Sequence, residues 1–320
     1  RALILLTASL VYMAIPSGAL DPEETMFILV RCMEDNLPED GSRSKLLSNW
    51  RTWTFEPADR RETQCFVKCL LEKLSLYDPG TKKFNPDVIK EQSSEYPALG
   101  DKNNVNEYGK AVQSLPETSN TCADVFNAYN NVHAKHRDTS REIFHGVLEL
   151  TKSIYNEKKG NIRPMGQSYF EYCENKNYPA GSPTRTQLCQ IRKYEVLDDE
   201  QFEKHIDCIF RGLRYITKDD QLDINEIQRD FREAEKDTRA VKSLLESCQS
   251  QEPAANEAKA LHYYKCLVDS DIVNDFKEAF DYREVRTQMY GYHLTQRRKY
   301  NKKNVSAAVM KVDGQQCPSE

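Results

Sequence analysis

The chain has 320 residues, 39% hydrophobic and 30% charged, with a formal net charge of −5. That length holds two domains of ordinary size, and that composition belongs to a folded, helix-biased protein and not to a disordered one. A net negative chain is a poor general surface for nucleic acid or anionic membrane, so neither is expected as a partner.

At the N-terminus, Arg1 precedes an apolar run from Ala2 to Ile15, Pro16 breaks it, and Ser17-Gly18-Ala19 supply the small residues a signal peptidase reads. Residues 1–19 are therefore expected to be a secretory signal peptide. The run is too short to span a bilayer. The chain opens on Arg1 and not Met, so the natural start is expected upstream. No later apolar run approaches 18 residues, and the mature chain is expected to be secreted and extracellular.

Ten cysteines follow: Cys32, Cys65, Cys69, Cys122, Cys173, Cys189, Cys208, Cys248, Cys266 and Cys317. An even count in an exported chain reads as disulfides. CxxC and HExxH patterns are missing, so no metal site is expected. The cysteines divide as four and then six, across a gap from Cys122 to Cys173. Within it, a helix-like stretch is broken by Gly160, Pro164 and Gly166. The boundary is placed near Asn161, giving domains of residues 20–160 and 161–320.

The halves share a faint repeat. Cys69 is followed by Tyr77, Phe84 and Ile89, and Cys208 by Tyr215, Leu222 and Ile227, with the last two steps seven and five residues in both. "CADVFNAYNN" in the first half echoes "NDFKEAFDYRE" in the second, which suggests duplication, with chance as the alternative. Strand signals are weak. Helical periodicity is plain in residues 86–96, 225–248 and 274–290. The expected fold class is all-α, with five to eight short helices per domain clamped by disulfides.

None of the six histidines lies in a metal or hydrolase motif, and GxSxG, P-loop and helix-opening GxGxxG patterns are missing. With every cysteine paired, no thiol nucleophile remains. No enzyme, catalytic residue or cofactor is expected. Asn304-Val305-Ser306 is a glycosylation sequon.

The segments "RCMEDNLPEDG", "QCFVKCLLEKLSLYDP", "SYFEYCENKNYPAGS", "QLCQIRKYEVLDDEQFEKHIDC", "HYYKCLV" and "DFKEAFDYREVR" resemble the long-form salivary D-seven proteins of blood-feeding mosquitoes, within the insect odorant-binding-protein superfamily. The resemblance covers the whole mature chain and all ten cysteines. It implies two tandem odorant-binding-like helical domains, each with its own pocket, and a secreted salivary scavenger. Host biogenic amines (the serotonin, noradrenaline and histamine class) would go to the second domain and cysteinyl leukotrienes to the first. The effect would be to counter vasoconstriction, platelet activation and inflammation during feeding, with the protein a monomer. It also implies the pairings Cys32–Cys69, Cys65–Cys122, Cys173–Cys208, Cys189–Cys317 and Cys248–Cys266. Its amine site maps onto Arg192, His205, Tyr264, Phe280, Asp281 and Glu284.

The residues support that set in their own right. At 100° per residue, Phe276, Phe280, Glu284 and Asp281 fall across about 140° of a helix. A face mixing two phenylalanines with two acids suits neither solvent nor plain core, because a buried carboxylate is costly unless paired. An ammonium would pair it, and aromatic faces would add cation–π attraction. The plain alternative is a surface acid pair answered by Arg283 and Arg286, which the residues alone favour and the resemblance outweighs. Arg192 and His205 would then meet the far end of the ligand, with Tyr264 along it.

Aligned with this helix, the first half places Asn130 opposite Asp281 and His133 opposite Glu284. With the acids gone, a pocket there suits neutral or anionic apolar ligands. Trp50, Trp53, Phe66 and Tyr77 are candidates to line it, or are ordinary core. With the two motif sets in different halves, amine and lipid are expected to bind independently. Competing readings are a nucleotide (ADP or ATP) scavenger of the same fold, which needs a basic cluster, an odorant carrier, and a protein-interaction module acting on coagulation factors.

Overall fold

The computed structural model describes residues 18–158, 161–251, 253, 258–287 and 300–317. Residues 1–17 of the expected signal peptide lie outside the described residues.

The first half comprises α1 (Pro22–Asn36), α2 (Arg43–Arg51), α3 (Arg61–Lys73), α4 (Asp87–Glu95), α5 (Lys102–Gln113), α6 (Cys122–Ile143) and α7 (Leu148–Glu157). The second comprises α8 (Tyr169–Asn177), a 3-10 turn (Pro183–Gln187), α9 (Leu188–Ile191), α10 (Glu200–Gly212), α11 (Ile224–Glu233), α12 (Thr238–Gln249), α13 (Lys259–Val268), α14 (Val273–Thr287) and α15 (Lys302–Gln316). Capping side chains start many of them. Asp21, Asp101, Thr121, Ser168, Asp199, Asp223 and Asp237 each accept from a backbone N–H of the first turn, satisfying donors that would otherwise be orphaned. The periodic run over 225–248 is two helices, divided where Glu235 takes φ 57°.

Each half buries its own core. Phe66, Val67, Leu70 and Leu71 of α3 face the first, where Trp50 stacks on Phe66 at 4.3 Å. Phe202, Ile206, Ile209 and Phe210 of α10 face the second. Five disulfides close within the halves with the pairings the family resemblance implied.

The seven-residue spacing of the repeat has a structural meaning that the weak strand signal concealed. In the first half Tyr77 pairs with Phe84 across that step in a two-stranded hairpin; in the corresponding turn of the second half the bridge is Ile216 to Leu222, one residue shorter than the repeat spacing. Lys82 and Asp220 hold positive φ there, in place of the usual Asn-Gly.

Candidate ligand-binding site

Six helices and the turn after α9 converge in the second half. Alpha10 supplies His205, α13 Tyr264, and α14 Phe280, Asp281 and Glu284; Arg192 caps α9, and Val309 comes from α15. All six residues expected of an amine site line one cavity of about 40 Å³. Glu174, Phe170 and Tyr194 line it too, and sequence reasoning missed them. Glu174 sits beside Cys173 on α8, where nothing local distinguishes it from a surface acid.

The cavity is rich in buried charge. Arg192 donates through Nη2 to Glu174 Oε1 at 2.6 Å and Glu284 Oε1 at 3.0 Å, and through Nη1 to Asp313 Oδ1 at 2.7 Å. The Tyr194 hydroxyl donates to Asp281 Oδ1 at 2.5 Å. Phe280 packs edge-on against Phe170 at 4.7 Å and tilted against Phe276 at 5.0 Å. Arg192, expected to meet the ligand's far end, is thus engaged by three carboxylates.

Burial pushes Asp281 up to about 6, helped by the Glu284 charge and opposed by the Tyr194 hydrogen bond. Burial also raises Glu174 to about 7, against the pull of Arg192, and raises Glu284. His205 is pushed down to about 4 by burial and is neutral at physiological pH. The lining therefore carries three acids against one cation; Glu174 is about half-protonated at neutral pH, and the negative excess that remains is one a bound cation would relieve. His205 Nδ1, Glu174 Oε2 and Arg192 Nε are buried without hydrogen-bond partners. Three such atoms around one cavity are unusual in a finished core.

The surface reading of the acid pair fails. Glu284 is 6% exposed, and Arg283 and Arg286 turn away from it to meet Asp230 at 3.0 Å and 2.6 Å.

In the first half, Trp50, Trp53, Phe66 and Tyr77 are all buried. Ring contacts run from Tyr77 through Phe84, Tyr129, His133 and Phe55 to Phe66 and Trp50, and Trp53 joins at Phe55. Trp53 also lines a cavity of about 400 Å³, together with Phe55, Asn130, His133, His136 and Arg137. His133, opposite Glu284 in the repeat, bonds the Trp53 carbonyl at 2.8 Å and is pushed down to about 4 by burial. Arg163, just past the boundary, pairs with Glu23 at 2.7 Å.

Two disulfide-clamped helical halves, each around its own core, define a tandem helical binding protein of the insect type. A model of the PBP/GOBP family matches residues 23–130 and 158–270. Long form salivary protein D7L1 of Aedes aegypti is 52% identical over 302 residues, covering 94% of each chain. The solved AeD7–leukotriene E4 complex is 53% identical with a TM-score of 0.85, covering 89% of this chain and 96% of that one. A D7 long form 1 of Culex quinquefasciatus, solved with ADP, is 28% identical with a TM-score of 0.83, over 93% of this chain and 98% of that one. The chain belongs to the PBP/GOBP family and, within it, to the long-form salivary D7 proteins. Among the described residues no helix is long and apolar enough to cross a membrane.

Proposed function

We propose that this protein is secreted into saliva as a monomer and sequesters small host mediators without turning them over. It takes biogenic amines in the second half and cysteinyl leukotrienes in the first. The observation that carries the amine reading is the cavity's charge: Glu174, Asp281 and Glu284 face one arginine beside Phe280 and Tyr264. An ammonium supplies the missing counter-charge, and Phe280 and Tyr264 flank it. The neutral imidazole of His205, with Nδ1 free, suits a ligand hydroxyl or ring N–H.

A cavity of about 40 Å³ has room for little more than one water, well below the roughly 300 Å³ where ligand pockets begin. Amine entry therefore requires lining side chains to move. Nanomolar binding is about −12 kcal/mol. The best small ligands reach about −1.5 kcal/mol per heavy atom. A ligand of roughly a dozen atoms must therefore be gripped along its whole length.

The lipid reading rests on the leukotriene-bound relative at 53% identity and on the loss of both acids at Asn130 and His133. A nucleotide in the second-half cavity is disfavoured, because its three acids repel phosphate. Calorimetric titration with serotonin, noradrenaline, histamine, a cysteinyl leukotriene and ADP tests all of this. One-to-one amine binding, with the amine recovered unchanged, is the expected result. Absence of amine binding to folded protein would overturn the reading.

A further inference from the structure

Alpha14 has two charged flanks. On a helical wheel Phe276 and Phe280 form a ridge. Glu284 and Asp281 lie about 80° and 140° to one side of Phe276, and Arg283 and Arg286 about 20° and 80° to the other. The acid flank faces the cavity. The arginine flank closes on Asp230 of α11, which is fully buried. Asp230 Oδ1 accepts from Arg283 Nη1 at 3.0 Å and Arg286 Nη2 at 2.6 Å, and Oδ2 accepts from the Tyr215 hydroxyl.

The clamp extends into the other half of the molecule. Arg283 Nη1 also meets Glu226 Oε1 at 3.2 Å. Arg31 of α1 donates from Nε to both oxygens of Glu226 at 3.1 Å, across 195 residues of sequence. A first-half arginine thus holds the carboxylate that steadies the arginine next to Glu284.

The geometry points to Asp230 as a positioning residue of the amine site, with Arg31 and Glu226 as the brace through which the first half holds it; this rests on the amine reading above. The physical reason is leverage. Side chains reach about 5–6 Å from a helix axis, so a rotation of about 10° carries a carboxylate about 1 Å. Half-buried Asp281 and buried Glu284 are held against a desolvation penalty that favours rotating them toward water. The opposite flank must hold the helix, and two arginines bonded to one buried acid resist both rotation and withdrawal. Displacing an acid by 1 Å from an ammonium weakens a charge-assisted hydrogen bond without removing any pocket residue.

A general loosening of the domain would weaken every ligand equally, whereas a displaced acid pair weakens only a cationic one. The test therefore compares serotonin with 5-hydroxytryptophol, which keeps the hydroxyindole and replaces the ammonium by a hydroxyl. Titrations use the full chain as wild type, Asp230→Asn and Arg31→Met, with circular dichroism confirming the fold. Wild type is expected to prefer serotonin strongly. Asp230→Asn is expected to cut that preference about tenfold and Arg31→Met several-fold, with 5-hydroxytryptophol affinity nearly unchanged. Arg31→Met keeps the proposal decidable if Asp230→Asn does not fold, because Glu226 retains Arg283. An unchanged preference in the folded variants overturns the positioning role and leaves the amine reading standing. A wild type that does not prefer serotonin overturns both.

Discussion

Asp281 shows how a single carboxylate can be costly to the fold and still be kept. It is half-buried among aromatic rings, beside Glu284, with one tyrosine hydroxyl for company. Replacing it by Asn keeps the shape and removes the charge. A hydrogen bond to a charged group is worth about 1.5–3 kcal/mol, so serotonin affinity is expected to fall roughly tenfold to a hundredfold by calorimetry. Folding stability should move the other way. With its folded value raised to about 6, the folded protein holds a proton that the unfolded chain has released, so this residue erodes stability as pH rises from about 4 through 6. Asp281→Asn should therefore match or exceed the wild-type melting temperature at pH 7.5, with the difference shrinking toward pH 4. Amine affinity in wild type should in turn decline as pH falls below about 6 and Asp281 takes up its proton.

Among the elements, α14 was the most legible in the sequence. The 3.6-residue pattern of 274–290 located the acid pair and its phenylalanine ridge, and the described helix runs from Val273 to Thr287. His205 and Cys208 share α10 with a continuous apolar face. Alpha8 and the turn at Tyr194 were not legible as site elements. Glu174 and Tyr194 reach the cavity only because the Cys173–Cys208 bridge and the left-handed turn at Tyr194, φ 63°, fold them inward. Gly212 at the end of α10 marks another contact that sequence could not reveal. A Cβ there would lie 2.2 Å from the Tyr169 ring, which in turn bonds Glu23 at 3.0 Å. Overpacking a buried contact costs about 1–3 kcal/mol, so Gly212→Ala should lower the chemical-denaturation midpoint. The Cys189–Cys317 bridge, closing 128 residues, ties the end of α15 to α9. Replacing both cysteines by Ser is expected to cost about 2–5 kcal/mol in the same assay. It should also weaken amine binding, since Val309 and Asp313 lie on the freed helix.

At the scale of the whole molecule, the join between the halves is ionic, and α1 makes most of it. Ile28, Leu29, Cys32 and Met33 face the first core, while Glu23, Glu24, Phe27, Arg31, Glu34 and Asp35 follow at helical spacing on another face. That charged face looks like a solvated one in sequence, because its partners lie more than 130 residues away. It meets Arg163, Arg214, Lys218, Glu226 and Arg229. This is why the two motif sets read as independent, although a chain of buried ion pairs joins the halves behind α14. The join has two kinds of contact. Lys218–Glu24 at 3.1 Å and Arg229–Asp35 at 2.7 Å have one partner well exposed to water, while Arg31–Glu226 and Arg163–Glu23 are buried on both sides. Salt shortens the screening length from about 10 Å at 0.1 M to about 3 Å at 1 M, which weakens exposed pairs and leaves buried ones largely intact. Wild-type protein should therefore keep the same radius of gyration by small-angle X-ray scattering across that range. The double variant Arg31→Met, Arg163→Met leaves Glu23 without its guanidinium and removes the first half's grip on Glu226. Losing one partner of a buried pair costs about 3–5 kcal/mol where nothing replaces it. The two halves should then separate about their linker, with a larger radius that grows further at high salt as the rim pairs fade. A double variant as compact as wild type at 1 M salt would mean that apolar contact, and not the buried pairs, holds the halves together.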